Sequence, residues 1–141
     1  MSTEDNKAIV HRFQDGLMEY FHTGNLNALL ETVHPDAAFD MPGMPAHREG
    51  LQHVLPMFRS AFPDLQVTVG ALLAEGDQVA YRLTWTGTHT GELMGIPATG
   101  KRVTVSETHI DQIVGGKIVR HDGDWNQLGM LQQIGALPAM G

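Results

Sequence analysis

A histidine and two carboxylates alternate along Glu107-Thr108-His109-Ile110-Asp111, and a second acidic pair follows in His121-Asp122-Gly123-Asp124-Trp125. Imidazole and carboxylate move protons near neutral pH, and a carboxylate beside an imidazole fixes its tautomer and raises its pKa. Gly115-Gly116, between the two runs, reads as the turn of a two-residue hairpin. Val114 then faces Lys117, and counting back sets Asp111 opposite Arg120, His109 opposite Asp122 and Glu107 opposite Asp124. Directly opposed side chains lie close enough to interact. On this register Asp111–Arg120 is a salt bridge near the turn and His109–Asp122 an acid/base dyad. Glu107–Asp124 sets two like charges together, so burial should shift one proton.

Val103 and Val105 lead into Glu107 and His109 on one side of the strand, with Thr104, Ser106 and Thr108 on the other. An apolar face that turns polar suits a pocket wall, with His109 pointing inward. The competing reading is a surface cross-strand pair, worth well under about 1 kcal/mol. Val79, Tyr81, Leu83 and Trp85 form a second inward series, and His89 continues it towards the pocket rim or closes the strand with a hydrogen bond. Trp85 and Trp125 serve as walls for a ligand or as core. The eight histidines show no metal spacing: His47 and His53 lie six apart and no His-Glu-x-x-His occurs, so no metal site is expected. Gly91, Gly95 and Gly100 open no helix and precede no Lys-Ser or Lys-Thr, so they make no phosphate cradle.

The elements that must position these groups can be read from periodicity. Ile9, Val10, Phe13, Leu17, Tyr20 and Phe21 recur at helical spacing, with Ser2 or Thr3 as N-cap and Gly24 as the stop. Asn25 caps a shorter helix with Leu26, Leu29, Leu30 and Val33, ended by His34-Pro35. Leu51, Val54, Leu55, Phe58 and Phe62 mark a third over 49–62, with a kink or irregular turn at Pro56. After Pro63 the period becomes two. One strand carries Val67, Val69 and Leu72, turns at Glu75-Gly76-Asp77, and returns through 79–86. A loop over 90–100 precedes strands 102–114 and 117–125, and a short helix follows over 127–137. Helices followed by four consecutive antiparallel strands predict a single α+β domain with the helices on one face of the sheet.

Length and composition narrow the function. At 141 residues the chain fits one domain, residues 1–141, able to bury a core without a metal or disulfide. Without cysteine there is no thiol nucleophile, disulfide scaffold or cysteine-ligated metal. A net charge of −7 and no basic cluster exclude a nucleic-acid surface. The opening Met1-Ser2-Thr3-Glu4-Asp5 is unlike a secretory signal, and no apolar run is long enough to cross a bilayer. A soluble, cytoplasmic protein with no membrane partner is expected.

Three stretches together carry a resemblance. They are Ala61-Phe62-Pro63-Asp64-Leu65; Thr84-Trp85-Thr86-Gly87-Thr88-His89-Thr90-Gly91-Glu92-Leu93-Met94-Gly95-Ile96-Pro97-Ala98-Thr99-Gly100-Lys101; and Gly116-Lys117-Ile118-Val119, leading to Leu128-Gly129-Met130-Leu131-Gln132-Gln133-Ile134-Gly135. Over nearly its whole length the chain resembles the SnoaL-like polyketide cyclases of the nuclear transport factor 2-like superfamily. The resemblance implies a cone-shaped α+β barrel, commonly a homodimer, with N-terminal helices packed on a strongly curved, mainly antiparallel sheet and a pocket between them. The superfamily hosts cyclases, isomerases, epoxide hydrolases, dehydratases and domains without chemistry, so fold alone does not set function. The cyclases place a histidine at the position of His109 and pair it with an acid/base aspartate on the last strand. Relatives also carry a polar pocket residue where Asp40 stands, which otherwise reads as a turn aspartate before a proline-rich loop. Aligned without gaps, Gly123 falls at the acid/base aspartate; a one-residue shift puts Asp124 there, and Asp122 remains a candidate. Gly123 is also a natural site for a β-bulge.

These readings describe a cofactor-free enzyme acting on a small carbonyl compound. Asp124 or Asp122 removes a proton α to a carbonyl, the enolate closes onto a second carbonyl, and His109, with Asp40 or His89, steadies the oxyanion. Trp85 and Trp125 would contact the substrate. The alternative from another class is a ligand-binding or dimerisation module, which Gly123 at the aspartate position favours. Epoxide hydrolysis is a further option, disfavoured because Arg82 alternates away from Trp85.

Overall fold

A computed structural model describes residues 2–44 and 46–138. The elements run α1 (Thr3–Thr23), α2 (Asn27–Glu31), β1 (Val33–Asp40), α3 (Glu49–Ala61), β2 (Gln66–Glu75), β3 (Gln78–Thr88), β4 (Arg102–Val114), β5 (Lys117–Trp125) and α4 (Gln127–Gln133). Ser2 and Asp5 exchange side-chain and backbone hydrogen bonds in a capping box that starts α1. Gly24, at φ 80°, ends it. The predicted apolar stripe faces inward, with Ile9, Val10, Phe13, Tyr20 and Phe21 buried. Helix α3 continues through Pro56.

One sheet of order β1-β5-β4-β3-β2 backs these helices. It is mixed and open, with β1 and β2 as its two edges, so the cone is not a closed barrel. Four of the strands are the antiparallel run expected from alternation; the fifth, β1, lies parallel to β5. Val33 therefore opens a strand and does not end α2, which stops at Glu31. Pro35 takes the segment out of the helix, and Val33, Ala37 and Phe39 supply the buried positions of an edge strand that tolerates a proline near its start.

The β4–β5 hairpin turns at Gly115-Gly116 as expected, with φ of 59° and 77°, the left-handed pair that a tight primed turn requires. Val114 faces Lys117 and Ile113 faces Ile118, but Gln112 then faces Arg120. Val119 is an extra residue, and the bulge it makes shifts every later pair by one. The bulge falls there and not at Gly123. Asp111 therefore faces His121, His109 faces Gly123, Thr108 faces Asp124 and Glu107 faces Trp125. The three expected pairs, Asp111–Arg120, His109–Asp122 and Glu107–Asp124, do not form.

Candidate active site

The core between α1, α3 and the sheet contains a cavity walled by Phe13, Leu17, Phe21, Leu55, Phe58, Trp85 and Trp125. Phe58 packs edge-on against both tryptophans, at 6.2 and 5.7 Å between ring centroids. Such aromatic pairs add about 0.5–1.5 kcal/mol each beyond the area they bury. Trp125 also donates from Nε1 to the Pro42 carbonyl at 3.0 Å, tying the loop with Met41, Gly43 and Met44 to the cavity. Apart from the tryptophans, the polar side chains on the lining are Gln14, Glu107, His109 and His121.

Alternation along β4 turns Glu107, His109 and Asp111 to this side of the sheet. Glu107 is held at both oxygens: His109 Nε2 lies 2.8 Å from Oε1, and Trp85 Nε1 donates to Oε2 at 2.8 Å. His109 is 2% exposed, and its Nδ1 is buried without a partner. A Cβ built on Gly123 would stand 2.2 Å from that nitrogen, so the absence of a side chain at 123 makes room for the His109 ring. His109 stacks on Tyr81 at 5.3 Å and on His121 at 4.6 Å.

Behind this lies a second imidazole–carboxylate unit. His121 Nδ1 is 2.5 Å from Asp111 Oδ1, and Tyr81 donates its hydroxyl proton to Asp111 Oδ2 at 2.9 Å. Gln14 Nε2 reaches the Tyr81 hydroxyl at 3.5 Å. Burial pushes the His121 pKa down, but the charge and hydrogen bond of Asp111, helped by Glu107 and Asp122, outweigh it and hold His121 above its ordinary range. Burial and the neighbouring Asp111 charge raise Tyr81 well above the usual phenol, so it stays a donor.

The sequence-derived candidates divide. His109, Trp85 and Trp125 line the cavity. Asp124 is exposed, opposite the exposed Thr108 on the outer face. Asp122 also faces out, opposite Ile110, where its Oδ2 accepts from Arg120 Nε at 2.7 Å. Asp40 is exposed beside Asp122 in the β1–β5 register. His89 is fully buried away from the cavity lining: its Nδ1 accepts from Thr99 N–H at 3.3 Å and meets Thr99 Oγ1 at 3.0 Å, so it pins the 90–100 loop. Residue parity explains these reversals. Without the Val119 bulge, Asp122 and Asp124 would share the facing of His109.

His121, Asp111, Tyr81 and Gln14 escaped the sequence reading of the site. Only the folded strand reveals His121 as an inward residue. Ile118 and His121 are both buried yet three apart, and strict alternation cannot turn both inward without an extra residue between them. Among the described residues no group of three or more His, Asp or Glu side chains is placed to hold a metal, and no helix is long and apolar enough to cross a membrane.

The molecule is thus an open, helix-backed α+β cone whose apolar cavity ends in imidazoles and a carboxylate. The chain belongs to the SnoaL-like polyketide cyclase family, whose model matches residues 11–134. It is 32% identical over 132 residues to nogalonic acid methyl ester cyclase from Streptomyces nogalater, covering 84% of this chain and 92% of that protein. It is 30% identical over 127 residues to the aklanonic acid methyl ester cyclase DnrD from Streptomyces peucetius, covering 84% and 86%. Among solved structures, AclR from Streptomyces galilaeus superposes with a TM-score of 0.85 at 29% identity, over 99% of this chain and 87% of that one.

Proposed function

We propose that the protein is a cofactor-free enzyme that closes a ring within a small polyketide-type carbonyl compound by an intramolecular aldol reaction. The observation that carries this reading is the Glu107 carboxylate, set in the wall of an apolar cavity and clamped by His109 and Trp85. Glu107 takes the place given on sequence grounds to Asp122 or Asp124. It removes a proton α to a carbonyl, and the enolate attacks a second carbonyl of the same molecule. His109 orients the base, and the aromatic walls hold a flexible substrate in a reactive fold. The relatives' names supply test compounds. Incubation with aklanonic or nogalonic acid methyl ester should give a cyclised product of unchanged mass by chromatography and mass spectrometry. Binding of both esters without conversion would point to the second reading.

That second reading, a binding module, is favoured by Gly123 at the gapless position of the acid/base aspartate and by the outward Asp122 and Asp124. The two readings differ at Glu107: Glu107→Gln abolishes turnover in the first and leaves ligand affinity nearly unchanged in the second.

Either reading is compatible with a homodimer, which we propose forms through the outer face of the sheet. Leu73, Ala80 and Ile110 line up across β2, β3 and β4 there, with Leu73 71% and Ile110 47% exposed. Leu73→Lys with Ile110→Lys should halve the mass seen by sedimentation, and a wild type that sediments as a monomer contradicts the dimer.

A further inference from the structure

His121 lines the cavity with Nδ1 committed to Asp111, which leaves Nε2 as the ring nitrogen able to meet a ligand. Its orientation is fixed on three sides, by Phe13 and Phe39 at 5.5 Å each and by His109 at 4.6 Å. Asp111 is wholly buried, and its other oxygen is taken by the Tyr81 hydroxyl, so the carboxylate is held on the side of His121 away from the cavity lining. Glu107, two strand positions before His109, lines the same cavity. A carboxylate and a separately supported imidazole thus reach one ligand space from neighbouring strands.

We propose that His121 is the general acid of the site, giving its Nε2 proton to the substrate oxygen that becomes the hydroxyl, with Tyr81 and Asp111 as its positioning residues. This rests on the acid–base reading above and adds a second catalytic group to it. In the step, Glu107 takes the α-proton, the enolate carbon bonds to the second carbonyl carbon, and the C=O π electrons pass to oxygen. That oxygen receives the proton from Nε2. Substrate and product are isomers; the enzyme is left with protonated Glu107 and neutral His121, and one proton exchanged through solvent restores both.

The arrangement suits the task electrostatically. The charged and titratable groups around His121 are Asp111, Glu107 and His109 from β4, Tyr81 from β3 and Asp122 from its own strand; α1 and β1 meet it with Phe13 and Phe39. The carboxylates favour an imidazolium. Its ordinary pKa is raised by them, so the acid form persists to higher pH than in a free histidine. An imidazolium donor also stabilises the developing alkoxide more strongly than a neutral group does.

The test uses 2-tetralone, whose α-deuterium exchange needs a base and an oxygen donor but no ring closure, and 2-naphthol, a flat analogue of its enol. Wild type should catalyse exchange with an alkaline limb set by His121. His121→Asn keeps an amide where Nδ1 stood but has no Nε2. Its exchange rate constant should fall by about a hundredfold or more, with 2-naphthol binding weakened and no longer dependent on that ionisation. His121→Gln, whose amide can donate but not transfer a proton, should recover 2-naphthol binding without exchange. Asp111→Asn should retain exchange but move the alkaline limb to lower pH, a shift that a merely structural role would not produce; it also carries the test if His121→Asn fails to fold. If His121→Asn matches wild type in rate and pH profile while Glu107→Gln is silent, the assignment of His121 is wrong and the proposed function stands. If wild type neither exchanges 2-tetralone nor binds 2-naphthol, the acid–base reading fails and takes this assignment with it.

Discussion

Gly123 lies directly across the β4–β5 ladder from His109, so close that a Cβ on it would stand 2.2 Å from His109 Nδ1. The position where the family resemblance puts an acid/base aspartate is filled here by the ring of the facing histidine. Glycine is what lets His109 lie flat against Tyr81 and His121 and reach Glu107.

Gly123→Asp should therefore not restore an acid/base group. The new side chain must drive His109 off its place, break its contact with Glu107 and strain the hairpin. Overpacking of this kind costs about 1–3 kcal/mol. Urea unfolding should report the loss, and histidine ring ¹⁵N shifts should report a moved His109. An unchanged midpoint and unchanged shifts would show that the ring is not confined by residue 123.

Met94 is the one non-glycine residue at positive φ (49°) among the described residues, and its side chain is 47% exposed. Asparagine tolerates that conformation better than a flexible unbranched side chain does. Met94→Asn should raise stability by about 0.5–1 kcal/mol, roughly a few degrees in Tm, with activity retained. A lower Tm would mean that the Met94 side chain contributes packing that outweighs the backbone cost.

Stability should also respond to pH through His121. Its folded pKa lies above the unfolded 6.5, so its stabilising contribution is complete below 6.5 and is lost as pH rises through the folded value. Chemical unfolding followed upward from pH 6 should show the decline, and Asp111→Asn should flatten it. A stability that climbs through this window in wild type would contradict an Asp111-held imidazolium.

Much of this fold was legible because local rules and tertiary structure agree. The Ser2 cap, the Gly24 stop, the alternation of Val79 to Trp85 and the Gly115-Gly116 turn each specify one local conformation, and the sheet adopts it. Strand β1 was hidden because Val33–Asp40 carries a proline, a histidine and two aspartates, and its three buried residues become a strand only against β5. The facing of the β5 residues was hidden for a narrower reason. The facing of every residue after Val119 depends on one extra residue in β5, and β-branched Ile118-Val119 gives no local sign of a bulge. His109 faces the cavity as its place on the regularly alternating β4 led one to expect, whereas Asp122 and Asp124, beyond the bulge, face outward. Glu107 was seen, but with a partner on the wrong face.

The role of Glu107 is tested most directly by the exchange of 2-tetralone α-protons, followed by ¹H NMR in D₂O with wild type and Glu107→Gln. A Glu107 base gives wild-type exchange above the buffer rate and a fall of about a hundredfold or more in Glu107→Gln. Equal rates in the two proteins, or a wild type that exchanges no faster than buffer, would contradict the claim that Glu107 is the base of this cavity.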